Sequence, residues 1–361
     1  MRADGFASSD IMAENVTSQN SPGSPQGDPQ AEVLRVVQMV ITMVIFFVGI
    51  PLNGLVVWVL GIRGGRRVSR AGGEPRGAGT FRIYVVNLAL ADLLLVLRVP
   101  LNLGYLAAHY SWPFGLQTCR LLMFLRCLGF YANAFLLCAI SGERCLCLLR
   151  PVWFRLRRPQ WTVLLVCALL WLLATALGTP YIISAAVVPV QNRSQCYESS
   201  SSGRSSALFI TETTLGFFFP LLLFLTSNLV VLVTARQSGG AVTSSAATTP
   251  TPNRLGRLYR VLFLTMLLYL TCWVPYFTFR FLLKLVEVRS ELHTMFMKGA
   301  YVSLYLVYAK SALNPVLYVF AARGLNRTVR ASFFSAVDRI FNEDTSDYAR
   351  RKSLRRTDSQ F

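Results

Sequence analysis

The sequence predicts an all-α membrane protein, a bundle of seven transmembrane helices followed by a cytosolic amphipathic eighth helix. Three observations predict this fold. Of the 361 residues, 53% are hydrophobic and only 15% are charged, the apolar residues are concentrated in long blocks, and the basic residues fall between those blocks. A formal charge of +19 can indicate a nucleic-acid partner, but basic residues sorted between apolar blocks argue against nucleic acid.

The seven predicted spans are the apolar blocks, because a helix needs about 20 apolar residues to cross the hydrocarbon core of a bilayer. They lie at 34–62, 83–107, 119–149, 161–187, 207–235, 261–286 and 295–320. Residues 1–33 form an N-terminal tail, and the bundle therefore occupies residues 34–320. Seven crossings place the two ends of the chain on opposite sides of the membrane.

The distribution of arginine and lysine predicts the orientation. The first, third and fifth connections, at 63–82, 150–160 and 236–260, contain six, four and four of them, and the tail from residue 323 contains nine. The second, fourth and sixth connections contain none, two and one. Since short cytosolic connections are enriched in basic residues, we expect a multi-pass plasma-membrane protein with an extracellular N-terminus and a cytosolic C-terminus.

Two glycosylation sequons agree with this orientation. Asn15 begins the sequon Asn-Val-Thr and Asn192 begins Asn-Arg-Ser, and both lie on the predicted outer side. We therefore expect both to be glycan acceptors. A third sequon, at Asn326, falls on the predicted cytosolic side and is discarded.

The connections and the tail on the cytosolic side have distinct compositions. The connection from Arg63 to Arg82 is rich in Gly and Arg and is expected to be a flexible connector. Residues 321–341 predict an amphipathic eighth helix on the inner membrane surface, in contact with membrane lipids. Its apolar side chains, at helical spacing, are Leu325, Val329, Phe333, Phe334, Val337 and Phe341.

The cytosolic tail at 342–361 is charged and rich in Ser and Thr. Ser353, Thr357 and Ser359 lie beside basic residues, a pattern that suits basic-directed kinases. Phosphate groups at these positions would add negative charge that could recruit arrestin. A solvated tail without modification is the alternative.

Polar, aromatic and proline residues recur inside the apolar blocks, where polar groups are costly and therefore informative. In chain order they are Asn53, Asp92, Glu143, Arg144, Trp171, Pro220, Trp273, Pro275, Asn314, Pro315 and Tyr318. This set, in register on seven spans, resembles the rhodopsin-like (class A) G-protein-coupled receptors from about residue 30 to residue 340. The resemblance implies an extracellular ligand and a heterotrimeric G protein as partners.

The resemblance also assigns roles in activation. In the family, an acidic residue followed by Arg at the cytosolic end of the third span restrains the resting state, and Glu143 and Arg144 match that pair. The family's other coupling positions match Trp273, Pro275, Asn314, Pro315 and Tyr318. Two residues depart from the pattern: Cys145 replaces the usual Tyr, and Asn228 stands where most members carry a Tyr that braces the active Arg. We expect a weak brace between Asn228 and Tyr318.

A disulfide between Cys119 and Cys196 is implied by the resemblance. Both residues lie on the predicted outer side, which is oxidising. The other six cysteines lie within the membrane or at its inner edge and are expected to be small packing residues. They are Cys127, Cys138, Cys145, Cys147, Cys167 and Cys272.

Receptors of this family often bind sodium between an acidic residue of the second span and polar groups on the third and seventh spans. The matching positions are Asp92, Asn133 and Lys310, where a neutral residue is usual on the seventh span. Because an unpaired buried charge costs several kcal/mol, we expect Lys310 to pair with Asp92. No cofactor is expected, and the ammonium group would replace the sodium ion. The alternative is that Lys310 points to water or lipid headgroups.

Charged residues in the outer halves of the spans predict the kind of ligand. Arg98, Arg126, Arg280 and Lys284 are the cations, and Glu212 is the acid. Amine receptors carry an Asp at the position of Arg126, so a cationic amine ligand is disfavoured. Four cations against one acid predict an anionic ligand, because guanidinium groups bind carboxylates well. For Arg98 and Lys284, the alternative is that the side chains extend to the outer membrane interface.

Several segments are similar to the chemoattractant branch of the family. They include residues 87–92, the Trp112–Pro113–Phe114–Gly115 connection and residues 212–220. Glu212, eight residues before Pro220, is similar to the leukotriene receptors, and this similarity implies coupling to an inhibitory G protein. Residues 141–146 also look like the Mas-related receptors, which rank second.

The competing functions are an enzyme, a transporter and a receptor without a small ligand. With only two histidines, the sequence has no Ser/His/Asp set, metal cluster or phosphate loop. A transporter would show inverted repeats or paired broken helices, and the sequence shows neither. A small anionic or peptide ligand, or an orphan receptor of the same fold, therefore stays open.

Overall fold

The computed structural model describes residues 29–64, 76–149, 159, 161–190, 193–198, 204–237, 252–286 and 290–321. Several predictions fall on other residues and lie outside this part of the chain. They are the glycan acceptors Asn15 and Asn192, the eighth helix at 321–341 beyond its first residue, and the phosphorylation sites Ser353, Thr357 and Ser359.

The described residues form long helices and one short hairpin. The helices are α1 Pro29–Val56, α2 Arg76–Leu97, α3 Val99–Ala107, α4 Gly115–Leu149, α5 Trp161–Ser184, α6 Arg204–Thr213, α7 Phe219–Gln237, α8 Pro252–Leu285 and α9 Glu291–Ala321. Two π-helical turns, Val57–Arg63 and Thr214–Phe218, continue α1 and join α6 to α7. The strands are β1 Ala185–Val190 and β2 Arg193–Glu198.

These elements make seven spans. The first is α1 with its π-turn, the second is α2 with α3, the third is α4 and the fourth is α5. The fifth is α6 with α7, and α8 and α9 are the sixth and seventh. Within the described ranges, the first six are long and apolar enough to cross a membrane. The seventh has 31 residues, and its apolar character is reduced by Glu291, Lys298 and Lys310.

The spans pack around α4, which contacts the second, fourth and fifth spans, while α9 contacts α8 and closes the bundle against α1 and α2. Large apolar side chains cover the outside of the bundle, among them Phe47, Leu172, Leu222 and Val302. Such a surface fits a helix bundle in hydrocarbon, because helices satisfy their own backbone hydrogen bonds there.

The end of the fourth span, predicted at residue 187, differs from the structure in the type of secondary structure as well as in position. The helix ends at Ser184, and residues 185–187 begin β1, which pairs antiparallel with β2. The apolar run continues without a break, so hydropathy alone cannot separate the two structures. The valines of β1 favour a strand, and its partner β2 contains Cys196, which is bonded to α4.

The connection predicted from Arg63 to Arg82 is shorter in the structure, because α2 begins at Arg76. The side chain of Arg82 donates a hydrogen bond of 3.1 Å to the backbone oxygen of Leu60. This bond joins the first two spans near their ends. The prediction of a flexible connector over the whole of 63–82 is therefore wrong for residues 76–82.

Two prolines interrupt the helical hydrogen bonding at positions that shape the interior. Pro100 lacks a backbone N–H, and the second span breaks into α2 and α3 at Arg98. Pro220 follows the π-turn Thr214–Phe218, and the backbone oxygen of Gly216, four residues earlier, accepts a hydrogen bond of 3.0 Å from the Tyr269 hydroxyl. The break at Pro220 thus links the fifth span to the sixth.

Candidate functional site

A disulfide bond joins Cys119 at the start of α4 to Cys196 in β2, as predicted. The hairpin is also held by the connection before α4, since the backbone N–H of Trp112 donates to the oxygen of Ser194 at 2.7 Å. The side chain of Gln195 bonds to Tyr110 O at 3.0 Å. We call this part of the bundle the disulfide end.

An open cavity lies at the disulfide end. Two of the residues that line it are arginines, Arg98 and Arg126, and Cys196 of the hairpin contributes to its wall. The other lining residues are apolar, aromatic or amide side chains from the second, third and seventh spans and from the connection before α4, among them Asn102, Leu122, Leu304 and Tyr308. The cavity therefore combines positive charge with apolar surface.

Arg126, Glu212 and Arg280 form a buried cluster of three charges between the third, fifth and sixth spans. Arg126 donates from Nη1 to Oε1 of Glu212 at 2.7 Å and from Nη2 to Oε2 at 3.4 Å. Arg280 donates from Nη1 to Oε2 of the same carboxylate at 3.1 Å. All three residues are at most 5% exposed. We call this cluster the Arg–Glu–Arg triad.

Aromatic side chains surround the triad. The Tyr181 hydroxyl donates to Oε2 of Glu212 at 3.2 Å, and its ring centroid lies 5.4 Å from Cζ of Arg126. The ring of Phe209 lies 5.0 Å from Cζ of Arg280. Glu212 thus accepts from three side chains, which is how a buried carboxylate is kept in its charged form. The triad carries a net charge of one positive unit.

Arg98 differs from the two arginines of the triad. Its residue is 8% exposed, and its Cζ lies 5.5 Å from the ring centroid of Tyr308. Among the residues that the structure describes, no acceptor bonds to its Nε or Nη1. The backbone break before Pro100 places Arg98 at the junction of α2 and α3, beside the cavity.

The fourth predicted cation, Lys284, lies apart from the cavity lining and is exposed near the end of α8. Its Nζ lies 5.8 Å from the ring of Phe209, on which Arg280 also packs. The four cations therefore occupy three environments: a shared ion cluster, a cavity wall and the surface.

Glu198, at the end of β2, is a buried acid that the sequence reasoning did not select. It is 5% exposed, and burial raises the pKa of its carboxyl group, while the positive charges of Arg126, Arg280 and Lys284 act in the opposite direction. Its only signal in the sequence is its position two residues after Cys196, which ties β2 to the bundle.

An aromatic cluster lies one helical turn below Arg126. The ring centroids of Phe130 and Trp273 are 4.4 Å apart, and Phe277 packs on both. A Cβ atom on Gly216 would lie 2.1 Å from Phe130, so only glycine fits there. The cluster connects Arg126 on the third span with Trp273, which was selected from the sequence as an activation residue.

Polar residues form a second buried group deeper in the bundle. Asn314 donates from Nδ2 to Oδ2 of Asp92 at 2.6 Å, and Nζ of Lys310 lies 3.6 Å from the other oxygen, Oδ1. The Tyr269 ring lies 5.3 Å from the same Nζ. Asn53 donates to the backbone oxygen of Ser311 at 3.0 Å, which joins the first span to the seventh.

At the opposite end of the bundle, Glu143 is buried near the end of α4. The thiol of Cys145 donates to the Ser227 hydroxyl at 3.2 Å, and that hydroxyl donates to Ser141 O at 3.2 Å. The unusual Cys145 therefore joins the third span to the fifth. The side chains of Arg144, Asn228 and Tyr318 lie outside the described part of the chain, so the brace is untested.

A family model described as "7 transmembrane receptor (rhodopsin family)" matches residues 52–318. The match begins one residue before Asn53 and ends on Tyr318. It therefore covers most of the described bundle, including the cavity, the triad and the Asp92 group.

Similar proteins are receptors for chemoattractants. Chemerin-like receptor 1 of Sus scrofa is 26% identical over 91% of this chain and 89% of its own length. The C3a anaphylatoxin chemotactic receptor of Danio rerio is 27% identical over 88% of this chain and 81% of its own length. Chemerin-like receptor 1 of Homo sapiens is 26% identical over 88% of this chain and 83% of its own length. The predicted resemblance to the chemoattractant branch is confirmed, and the finer likeness to leukotriene receptors stays a prediction.

Proposed function

Because the chain belongs to the rhodopsin family of seven-transmembrane receptors, we propose that it detects an extracellular anionic ligand and activates an inhibitory heterotrimeric G protein. It is a multi-pass membrane receptor of the chemoattractant type and not an enzyme. The ligand class, the G protein and the orientation in the plasma membrane are the proposed parts.

The proposed orientation puts the disulfide end outside the cell. A disulfide between Cys119 and Cys196 forms and persists in an oxidising compartment. The basic connections of the sequence lie on the other side, in agreement with the retention of Arg and Lys in the cytosol. The cavity would then open to the extracellular solution, and Glu143 and Arg144 would face the G protein.

The observation that carries the ligand proposal is the lining of the cavity. Its described lining contains Arg98 and Arg126 and no acidic side chain. A cationic amine would meet two guanidinium groups without a carboxylate at the wall, whereas an anion is attracted by their positive charge and can accept charge-assisted hydrogen bonds at this wall. A lipid mediator or another chemoattractant with a carboxylate fits this combination of charge and apolar surface.

A route from the cavity to the G protein follows the third and sixth spans. Arg126 lines the cavity and belongs to the triad, which holds the third, fifth and sixth spans together. Below Arg126, Phe130 packs against Trp273, with their ring centroids 4.4 Å apart. An anion that alters the triad would therefore change the contact between the third and sixth spans. Release of Arg144 from its resting position would then admit the G protein, and arrestin would bind the phosphorylated tail.

The relatives supply the first ligands for a direct test. They are named for chemerin and for the C3a anaphylatoxin, so both molecules should be tried beside lipid and metabolite carboxylates. A Mas-related or orphan peptide receptor is the second candidate, since a peptide C-terminus also carries a carboxylate. A transporter is the distant third.

The test is a ligand screen in cells that express the full chain. We expect at least one carboxylate to lower cyclic AMP, and we expect its amide or alcohol analogue to be inactive. Treatment with pertussis toxin should remove the response if an inhibitory G protein carries it. Arg144→Ala at equal surface expression is the matched control for coupling. Activation only by cationic amines, or by ligands whose neutral analogues act equally well, would contradict the anionic ligand.

A further inference from the structure

We propose that Arg98, and not the arginines of the triad, receives the carboxylate of the ligand, and that the ligand carries an apolar tail. This inference rests on the proposed function and names the subsite within it. The three arginines are equivalent in the sequence, since each lies in the predicted outer half of a span. In the structure, the three arginines differ in their hydrogen-bond partners.

The first step is the difference in hydrogen bonding. Arg126 and Arg280 both donate to Glu212, at 2.7 Å and 3.1 Å. Nε and Nη1 of Arg98 have no acceptor among the described residues, although the residue is only 8% exposed. A buried donor without an acceptor is costly, and a charged donor more so. A ligand carboxylate would therefore gain more at Arg98 than at a guanidinium that is already paired.

The second step is the charge around each arginine. A carboxylate placed against Arg126 and Arg280 would lie beside Glu212, which is 1% exposed, and the two negative groups would repel in a low dielectric. At Arg98 the ring centroid of Tyr308 lies 5.5 Å from Cζ. The face of an aromatic ring holds a guanidinium without neutralising its charge.

The third step is the chemistry of the walls. Beside the two arginines, the lining includes Val99, Leu122, Met123 and Leu304, together with the aromatic rings of Tyr105 and Trp112. Apolar walls around one positive group favour a ligand with one negative head and an apolar body. The backbone break at Pro100 directs the chain so that Arg98 and Val99 both line the cavity. The subsite is thus suited to an acyl or aryl carboxylate.

The role of the triad follows from the same division. Its three charges satisfy one another across the third, fifth and sixth spans, so it positions these spans rather than holding the anion. Arg126 Nε lacks an acceptor among the described residues and lines the cavity. A carboxylate bound at Arg98 would therefore act on the triad electrostatically, through the charge of Arg126 in the same cavity wall.

The experiment measures binding directly and does not depend on a G protein. The full-length receptor is purified into nanodiscs of phosphatidylcholine, and its melting temperature is measured with decanoate and with decanol as the uncharged analogue. The variants are Arg98→Gln, which removes the charge, and Arg98→Lys, which keeps it. Lys298→Gln is the matched control, because Lys298 is an exposed cation of α9.

We expect decanoate, but not decanol, to raise the melting temperature of the wild type and of Lys298→Gln. The shift should be lost in Arg98→Gln and reduced in Arg98→Lys, although each variant shows a cooperative transition without ligand. An equal shift in Arg98→Gln, or none in the wild type at millimolar decanoate, would overturn the proposal.

A second pair of probes separates the apolar-tailed acid from a peptide C-terminus. Acetyl-Leu-Leu-Phe is compared with its C-terminal amide under the same conditions. Stabilisation by this peptide acid alone, with decanoate inactive, would overturn the acyl or aryl part of the inference in favour of a peptide. Stabilisation by decanoate through Arg98, together with no effect of any carboxylate on cyclic AMP, would uphold the subsite and count against the proposed function.

Discussion

Lys310 places its ammonium nitrogen 3.6 Å from Oδ1 of Asp92, inside the bundle, and both side chains are at most 1% exposed. Asn314 occupies the other carboxylate oxygen at 2.6 Å. The carboxylate therefore has a positive partner from its own chain and a neutral donor beside it. We propose that this pair takes the place of a bound sodium ion.

Sodium should consequently have no specific effect on this receptor. We expect the melting temperature of the wild type in nanodiscs to be the same in sodium chloride and in choline chloride of equal ionic strength. In Lys310→Ser, the buried Asp92 carboxylate loses its counter-ion, which is strongly destabilising for a buried charge. Sodium should then restore part of the lost stability. Specific stabilisation of the wild type by sodium would refute the replacement.

Removal of the carboxylate from the triad should be far more damaging than removal of one arginine. Glu212→Gln leaves the buried guanidinium groups of Arg126 and Arg280 without a negative charge, and breaking a buried ion pair costs about 3–5 kcal/mol. Arg280→Met leaves Glu212 paired with Arg126. We therefore expect a larger fall in melting temperature for Glu212→Gln. A smaller fall than in Arg280→Met would show that other groups compensate for the loss of the Glu212 carboxylate.

Replacement of Arg98 should raise the melting temperature when no ligand is present, in contrast to the replacements in the triad. Its Nε and Nη1 have no acceptor in the described part of the chain, and a buried unsatisfied polar group costs about 1–3 kcal/mol. Arg98→Met keeps much of the volume and removes the charge, so the unliganded melting temperature should rise. The exposed Lys298→Met serves as control and should change it little. A fall in Arg98→Met would mean that this guanidinium stabilises the resting bundle.

Glu198 should make stability depend on pH. Burial raises the pKa of its carboxyl group above the ordinary value of 4.5, so the folded protein holds a proton that the unfolded chain has released. Stability from this group is full below 4.5 and is lost as the pH rises through the folded-state pKa. The difference in melting temperature between Glu198→Gln and the wild type should therefore grow as the pH rises from 4.5 to neutrality.

The control for this titration is Glu291→Gln, which removes an exposed acid at the start of α9. Its difference from the wild type should stay constant over the same range. If Glu198→Gln and Glu291→Gln behave alike, the carboxyl group of Glu198 titrates as an ordinary surface acid and its burial has no energetic consequence.

The spans could be predicted because hydrocarbon imposes a length and an apolar composition on any helix that crosses it. The polar residues inside them could be selected for the same reason, since Asp92, Asn314 and Trp273 stand out against apolar neighbours. The disulfide of Cys119 with Cys196 was accessible through the family resemblance. None of these inferences needs knowledge of how one span is rotated against another.

Apart from the pairing of Lys310 with Asp92, the contacts between side chains of different spans could not be predicted, because they depend on rotation and on local breaks in the helices. The sharing of Glu212 by Arg126 and Arg280 needs three side chains from three spans to meet at one carboxylate. Arg98 could not be separated from them, since its position follows from the break before Pro100. The strand at Ala185–Val190 was missed because an apolar run has the same hydropathy in a helix and in a strand.

The covalent tether between the hairpin and the third span has a kinetic consequence. Cys196 is part of the cavity wall and is bonded to Cys119. The disulfide therefore holds this part of the hairpin against α4, and it cannot move away to open the cavity. A ligand must pass around this immobile hairpin when it enters the cavity and again when it leaves. We expect this detour to slow capture and to lengthen the residence time, so that a single occupancy event outlasts a brief pulse of the stimulus.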